Sequence, residues 1–131
     1  LIKSFRIRYT GDWLEKKDIK IAFSPGKLKS LQKNEILATV KLSNNSDKYC
    51  WYEFDVNLNS PLSLTYDQEL DKGRFRVGIL EPKTVKGKDF KIFTMDDLKP
   101  GIHKINFTIY VYDGDAVISD RLDYEIGIES V

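Results

Sequence analysis

Few side chains in this sequence are suited to chemistry, and most of them lack the companions that chemistry requires. His103 is the only histidine and Cys50 the only cysteine. A single imidazole cannot complete a zinc site, and no serine or cysteine nucleophile stands in a recognisable motif with it. Asp96 and Asp97 read as loop carboxylates, because general acid–base work needs a cleft that shifts their pKa values. The run Asp67-Gln68-Glu69-Leu70-Asp71-Lys72-Gly73 has the acid content of a calcium loop. Its glycine falls one place late, however, and Gly78 stands where the closing bidentate carboxylate is required, so the run reads as a solvated turn. The chain is expected to be no enzyme and to hold no metal or cofactor. What remains is contact chemistry by aromatic rings: Tyr49, Trp51, Tyr110 and Tyr112.

These four rings matter only if a fold places them together on the outside, and period-two patterning says which elements do so. Ile105, Phe107, Ile109 and Val111 share one face of a strand, with Lys104, Asn106, Thr108, Tyr110 and Tyr112 on the other. After Asp113-Gly114, a strong hairpin signal, Ile118, Leu122, Tyr124, Ile126 and Ile128 repeat the pattern. Tyr52, Phe54, Val56 and Leu58 do the same in the run from Cys50, whose thiol falls in the buried phase. Further runs centre on Phe5 to Tyr9, Ile19 to Phe23, Ile36 to Leu42, Leu62 to Tyr66, Phe75 to Ile79 and Phe90 to Ile92. That makes about nine strands. Helix is nearly absent, with Trp13 to Lys17 as the best candidate for a single turn. The expected fold is an all-β, antiparallel immunoglobulin-like sandwich forming one domain over residues 1–131.

Composition narrows the partners. The chain has 21 Lys and Arg against 20 Asp and Glu, interspersed rather than blocked, so no broad cationic surface is on offer to phosphates and nucleic acid is not an expected partner. The stretch Pro25 to Lys33 is a loop with spaced lysines. One cysteine excludes an intrachain disulfide and leaves the compartment open. No apolar run approaches the roughly 18 residues that span a bilayer. A chain that opens on Leu1-Ile2-Lys3 reads as cut from something longer, so any membrane attachment is expected to come only through a segment absent here. Two glycosylation triplets are present, Asn44-Asn45-Ser46 in an expected loop and Asn106-Phe107-Thr108 on a strand.

The segment Ile79-Leu80-Glu81-Pro82-Lys83-Thr84-Val85-Lys86-Gly87-Lys88-Asp89-Phe90, followed by Leu98-Lys99-Pro100-Gly101-Ile102-His103-Lys104-Ile105, resembles the immunoglobulin-like accessory domains of bacterial and archaeal surface proteins, the CARDB type among them. Those domains place a Pro-containing turn before one strand and a Leu-x-Pro-Gly corner before the strand that crosses the middle of a sheet. The resemblance covers roughly residues 33 to 128 and departs at the Asn-rich turn 43–47. More loosely, the chain resembles the soluble domain of archaellum stator proteins, which are anchored by one membrane helix and bind the surface layer. These resemblances imply an extracytoplasmic module of a membrane-anchored envelope or surface-appendage protein.

In such a sandwich the strand from Cys50 runs antiparallel beside the strand ending at Tyr112, so Tyr49, Trp51, Tyr110 and Tyr112 are expected to meet on the wet face of one sheet. Three uses compete: an interface with another copy (a homodimer) or with an envelope or surface-layer protein, a stacking platform for carbohydrate, or a surface covered by the N-terminal segment through Phe5 and Trp13. A carbohydrate platform needs polar groups beside the rings, for which Glu53, Asp55 and Asn106 are the candidates. The protein-interaction module is the leading expectation and the carbohydrate-binding module of the cell envelope its alternative.

Overall fold

The computed structural model describes residues 2–131. Its nine strands are β1 (Ile2–Arg8), β2 (Leu14–Lys16), β3 (Ile19–Ser24), β4 (Asn34–Asn44), β5 (Cys50–Leu58), β6 (Lys72–Leu80), β7 (Thr84–Thr94), β8 (Gly101–Tyr112) and β9 (Ile118–Ser130), and no helix occurs among the described residues. They form two layers. One is a five-stranded sheet in the order β1-β9-β8-β5-β6, the other a four-stranded sheet in the order β2-β3-β4-β7. With β3 and β4 central in one layer and β5, β8 and β9 in the other, the fold is an immunoglobulin-like β-sandwich.

The period-two faces close on each other as the patterning requires. Ile36, Ala38, Val40 and Leu42 from β4 meet Phe54 and Val56 of β5, Ile105, Phe107 and Ile109 of β8, and Leu122, Tyr124, Ile126 and Ile128 of β9 in one core. Its centre is aromatic. The ring of Phe54 lies 5.1 Å from Phe75, 6.0 Å from Phe90 and 5.9 Å from Phe107. Side chains also pin segment to segment. The Tyr9 hydroxyl donates to Phe23 O and accepts from Phe23 N, each at 3.1 Å, and Tyr52 Oη donates to Ser43 O at 2.9 Å. Cys50 is half-buried and packs against the core; burial pushes its thiol pKa up, and Asp18 adds to the rise.

Several local expectations are corrected. The sandwich is not wholly antiparallel, because β1 pairs parallel to β9. No tight turn joins these two, so the connection does not impose an antiparallel pairing. Residues 14–16 form β2 instead of a helical turn, since antiparallel pairing with β3 offers them a ladder. Leu62 to Tyr66 is no strand: Leu70 N and Thr65 N both donate to Ser63 Oγ, at 3.0 and 3.2 Å, and Asp67 takes a φ of 62°, which curls the segment on itself. The hairpin loop is longer than Asp113-Gly114. Asp113 N donates to Val117 O and Ala116 N to Asp113 O, with Ala116 at φ 63°. Asn44 is buried, not a loop-borne glycan acceptor. Its Nδ2 donates to Lys48 O at 2.7 Å and to Leu80 O at 3.0 Å, which joins the end of β4 to the opposite layer.

Two core tyrosines give the fold an alkaline limit. Burial pushes Tyr124 up to about 12, with Asp120 adding, and burial also raises Tyr52. In the unfolded chain both ionise near pH 10, while in the folded protein they hold their protons. Above pH 10 the unfolded state therefore binds fewer protons, and stability falls as pH rises. Tyr124 Oη has no hydrogen-bond partner within the protein, so Tyr124→Phe removes an unsatisfied hydroxyl. Urea unfolding is expected to show this variant at least as stable as the parent at pH 7 and shallower in its loss between pH 10 and 12. A variant less stable at pH 7 with an unchanged alkaline slope would contradict that.

Candidate functional surface

The outer face of the five-stranded sheet is built in rows, each row being the set of residues in register across neighbouring strands. β5 pairs with β8 so that Trp51 stands opposite Tyr112 and Glu53 opposite Tyr110, with β6 and β9 extending the rows on either side. Trp51 and Tyr112 stack with their ring centroids 5.4 Å apart and planes 10° from parallel. This is the cross-strand aromatic pair expected from the two strands' phases. Both rings are half-buried, and Tyr110 is too.

The row gains two members through bulges. Between Arg76, paired with Glu53, and Gly78, paired with Tyr52, β6 holds one extra residue, and Gly78 adopts a φ of 96° that favours glycine. The extra residue reverses the facing of the rest of the strand. Phe75 and Val77 pack against the core as their phase requires, but Ile79 swings outward beside Trp51 and Leu80 inward. The β8–β9 pair does the same, since Val111 pairs with Asp120 and Tyr112 with Ile118. Ile118, assigned to the core by its parity, stands outside next to Tyr112. The result is a continuous row Ile79–Trp51–Tyr112–Ile118 across four strands, with Ile79 58% and Ile118 51% exposed. Tyr49 and Val117 are exposed just beyond this end of the sheet. The four expected rings thus sort into a stacked pair, Trp51 and Tyr112; a neighbour in the next row, Tyr110; and Tyr49, which makes no ring contact with the others among the described residues.

Below this row the face is charged. Arg76 Nε lies 3.1 Å from Glu53 Oε1, and Tyr112 Oη donates to Glu53 Oε2 at 3.1 Å. Local desolvation, then that bond to Glu53, raises the Tyr112 phenol. Arg74 donates through Nε and Nη2 to the two oxygens of Asp55, at 2.7 and 3.0 Å, which raises its pKa further and fixes the guanidinium as a bidentate fork. Tyr110 sits between two cations, the Arg74 and Arg121 guanidinium carbons lying 5.9 and 5.7 Å from its ring centre. A shallow depression opens beside Trp51, lined by Glu53, Arg76, Gly78 and Ile79.

For this face one alternative loses its geometric support and the other is narrowed. The N-terminal segment does not cover it: Phe5 stacks on Tyr124, 5.1 Å away, and Trp13 lies under Lys41 of the other sheet. The polar groups expected to serve a sugar are already engaged, Glu53 by Arg76 and Tyr112, Asp55 by Arg74, and Asn106 as a donor to Asn57 O at 3.3 Å. Parity and spacing miss Ile79, Ile118 and the arginines. The glycine inside β6 is the available signal for one bulge.

No protein-family model matches the sequence, and no curated protein matches it. Among solved structures, the chain is similar to the ASH/PapD-like domain of human CEP192, with 10% identity over 90% of this chain and 89% of that one at a TM-score of 0.41. It is also similar to BslA, a bacterial hydrophobin, with 8% identity, 87% and 94% coverage and a TM-score of 0.45. A chain of a type I cohesin–dockerin complex from Clostridium thermocellum shares 14% identity, with 88% and 100% coverage and a TM-score of 0.47.

Proposed function

We propose that this sandwich is a non-enzymatic protein-interaction module that docks its partner on the outer face of the five-stranded sheet. The observation that carries this is the row Ile79–Trp51–Tyr112–Ile118, in which two independent bulges each turn an isoleucine out of the core to flank a stacked aromatic pair. The stacked pair stabilises the sheet as cross-strand aromatics do, but isoleucines turned out to solvent beside it add no core packing. Exposed isoleucines beside Trp and Tyr make a contiguous apolar strip of the kind that marks binding sites. An extracytoplasmic setting, as part of an anchored envelope or surface-appendage protein, belongs to the same proposal and rests on the sequence resemblance to surface-protein accessory domains.

The test uses Trp51→Ala together with Ile118→Ala. Loss of the ring stack costs about 1 kcal/mol of stability, so the protein stays folded. Affinity capture from an envelope fraction of the source cells is expected to fall at least about tenfold for this variant, by the energetics of central aromatic anchors. Retained capture with unchanged circular dichroism would refute the assignment.

A further inference from the structure

All five arginines of the chain, Arg6, Arg8, Arg74, Arg76 and Arg121, lie on the outer face of the five-stranded sheet. The outer face of the four-stranded sheet carries lysines such as Lys20, Lys41 and Lys91 instead. On the arginine face the lysines, Lys72 and Lys104, stand at the end far from Trp51. Solubility does not discriminate between the two cations, but interfaces do. Arg is enriched with Tyr and Trp where proteins meet and Lys is depleted, because the guanidinium is planar, weakly hydrated and pre-organised.

The pairs on this face are also layered in depth. Arg76 is 80% exposed and its partner Glu53 15%; Arg74 is 56% exposed and Asp55 33%. The carboxylates lie beneath and the guanidiniums above, so an approaching molecule meets cations. Each underlying carboxylate occupies at most two of a guanidinium's five N–H donors, which leaves the others available to a second acceptor. The side-chain entropy of holding the fork upright is already lost before any partner arrives.

Resting on the docking face proposed above, we infer that its partner is an acidic polypeptide: a bulky apolar side chain seated on the Trp51–Tyr112 row, with carboxylates reaching Arg76 and Arg74. Successive rows of a sheet face are about 7 Å apart, so an extended segment lying along the strands places side chains two and four positions from its apolar anchor over these two arginines. A second copy of this chain does not fit that arrangement. Face-to-face packing along the strands lays the arginine layer on itself. A two-fold that avoids the clash is left with the four residues of the apolar row, against the roughly 20–30 residues a side of a stable interface.

The experiment titrates the full chain, with tryptophan fluorescence as the signal, against three probes: a random copolymer of glutamate and tyrosine, the corresponding copolymer of lysine and tyrosine, and polygalacturonate. The glutamate copolymer is expected to bind at least about tenfold tighter than either of the others, as charge complementarity requires. Arg74→Ser with Arg76→Ser is expected to abolish that preference while circular dichroism stays unchanged. Equal binding of the two copolymers overturns the acidic assignment, and polygalacturonate binding as tightly as the glutamate copolymer makes an anionic polysaccharide the occupant. Self-association in sedimentation that Trp51→Ala with Ile118→Ala removes makes it a second copy. If Trp51→Ala with Ile118→Ala leaves every titration unchanged, the docking face itself fails, separately from the charge inference.

Discussion

Phe54→Ala is expected to lower the free energy of unfolding by about 3–5 kcal/mol, the range for deleting a fully buried phenylalanine. Phe54 is inaccessible to solvent and its ring neighbours those of Phe75, Phe90 and Phe107, which arrive from three other strands and both layers. Such a site cannot collapse around an alanine without moving strands that are held by their own ladders. Against a typical domain stability of about 5–15 kcal/mol this is a large fraction of the total. Chemical denaturation followed by circular dichroism measures it. A loss under about 1 kcal/mol would mean that the two layers do not meet at this ring.

Asn44→Ala is expected to cost about 1–3 kcal/mol, because the group removed is a connector and leaves the buried carbonyl of Leu80 behind. Its Nδ2 serves Lys48 O and Leu80 O, while its Oδ1 accepts from Ser46 N at 3.1 Å and Ser46 Oγ at 2.7 Å. Alanine leaves the carbonyl of Leu80, on the opposite layer, without this donor. Asn44→Asp keeps the acceptor and sets a carboxylate against two carbonyl oxygens, so urea unfolding is expected to rank it below alanine. A ranking with aspartate equal to the parent would contradict the assigned amide orientation. The glycosylation triplet at 44–46 is explained by the same bonds: Ser46 is there to hold the turn.

The strands and their inward faces are legible in the sequence because a pleat repeats every two residues and most of these strands have one wet side. Tyr52, Phe54, Val56 and Leu58 are buried as their parity requires, as are Ile105, Phe107 and Ile109. Parity fails where a residue is inserted. Ile79 and Ile118 share the parity of core positions, yet each lies beyond a bulge that shifts the phase by one. Their outward facing is a property of pairing with β5 and β8, which no local window contains. The arginine layer is hidden for a related reason. Arg6, Arg74 and Arg121 are far apart along the chain and become one surface only when β1, β6 and β9 join the same sheet. Asn44 shows the converse limit, since its partner Leu80 lies on a different layer and the local Asn-rich run reads as a plain turn. Trp51 and Tyr112 are found because the adjacency of β5 and β8 comes with the sandwich itself.

The functional reading depends on contact being made at the bulge-assembled row rather than at some other part of the surface. Amide chemical-shift mapping of the labelled protein during titration with the glutamate–tyrosine copolymer tests this directly. The largest shifts are expected on Trp51, Ile79, Tyr112 and Ile118, extending to Arg74 and Arg76. Shifts concentrated instead on β3, β4 and β7, or on the lysine-bearing loop from Lys27 to Lys33, would contradict it.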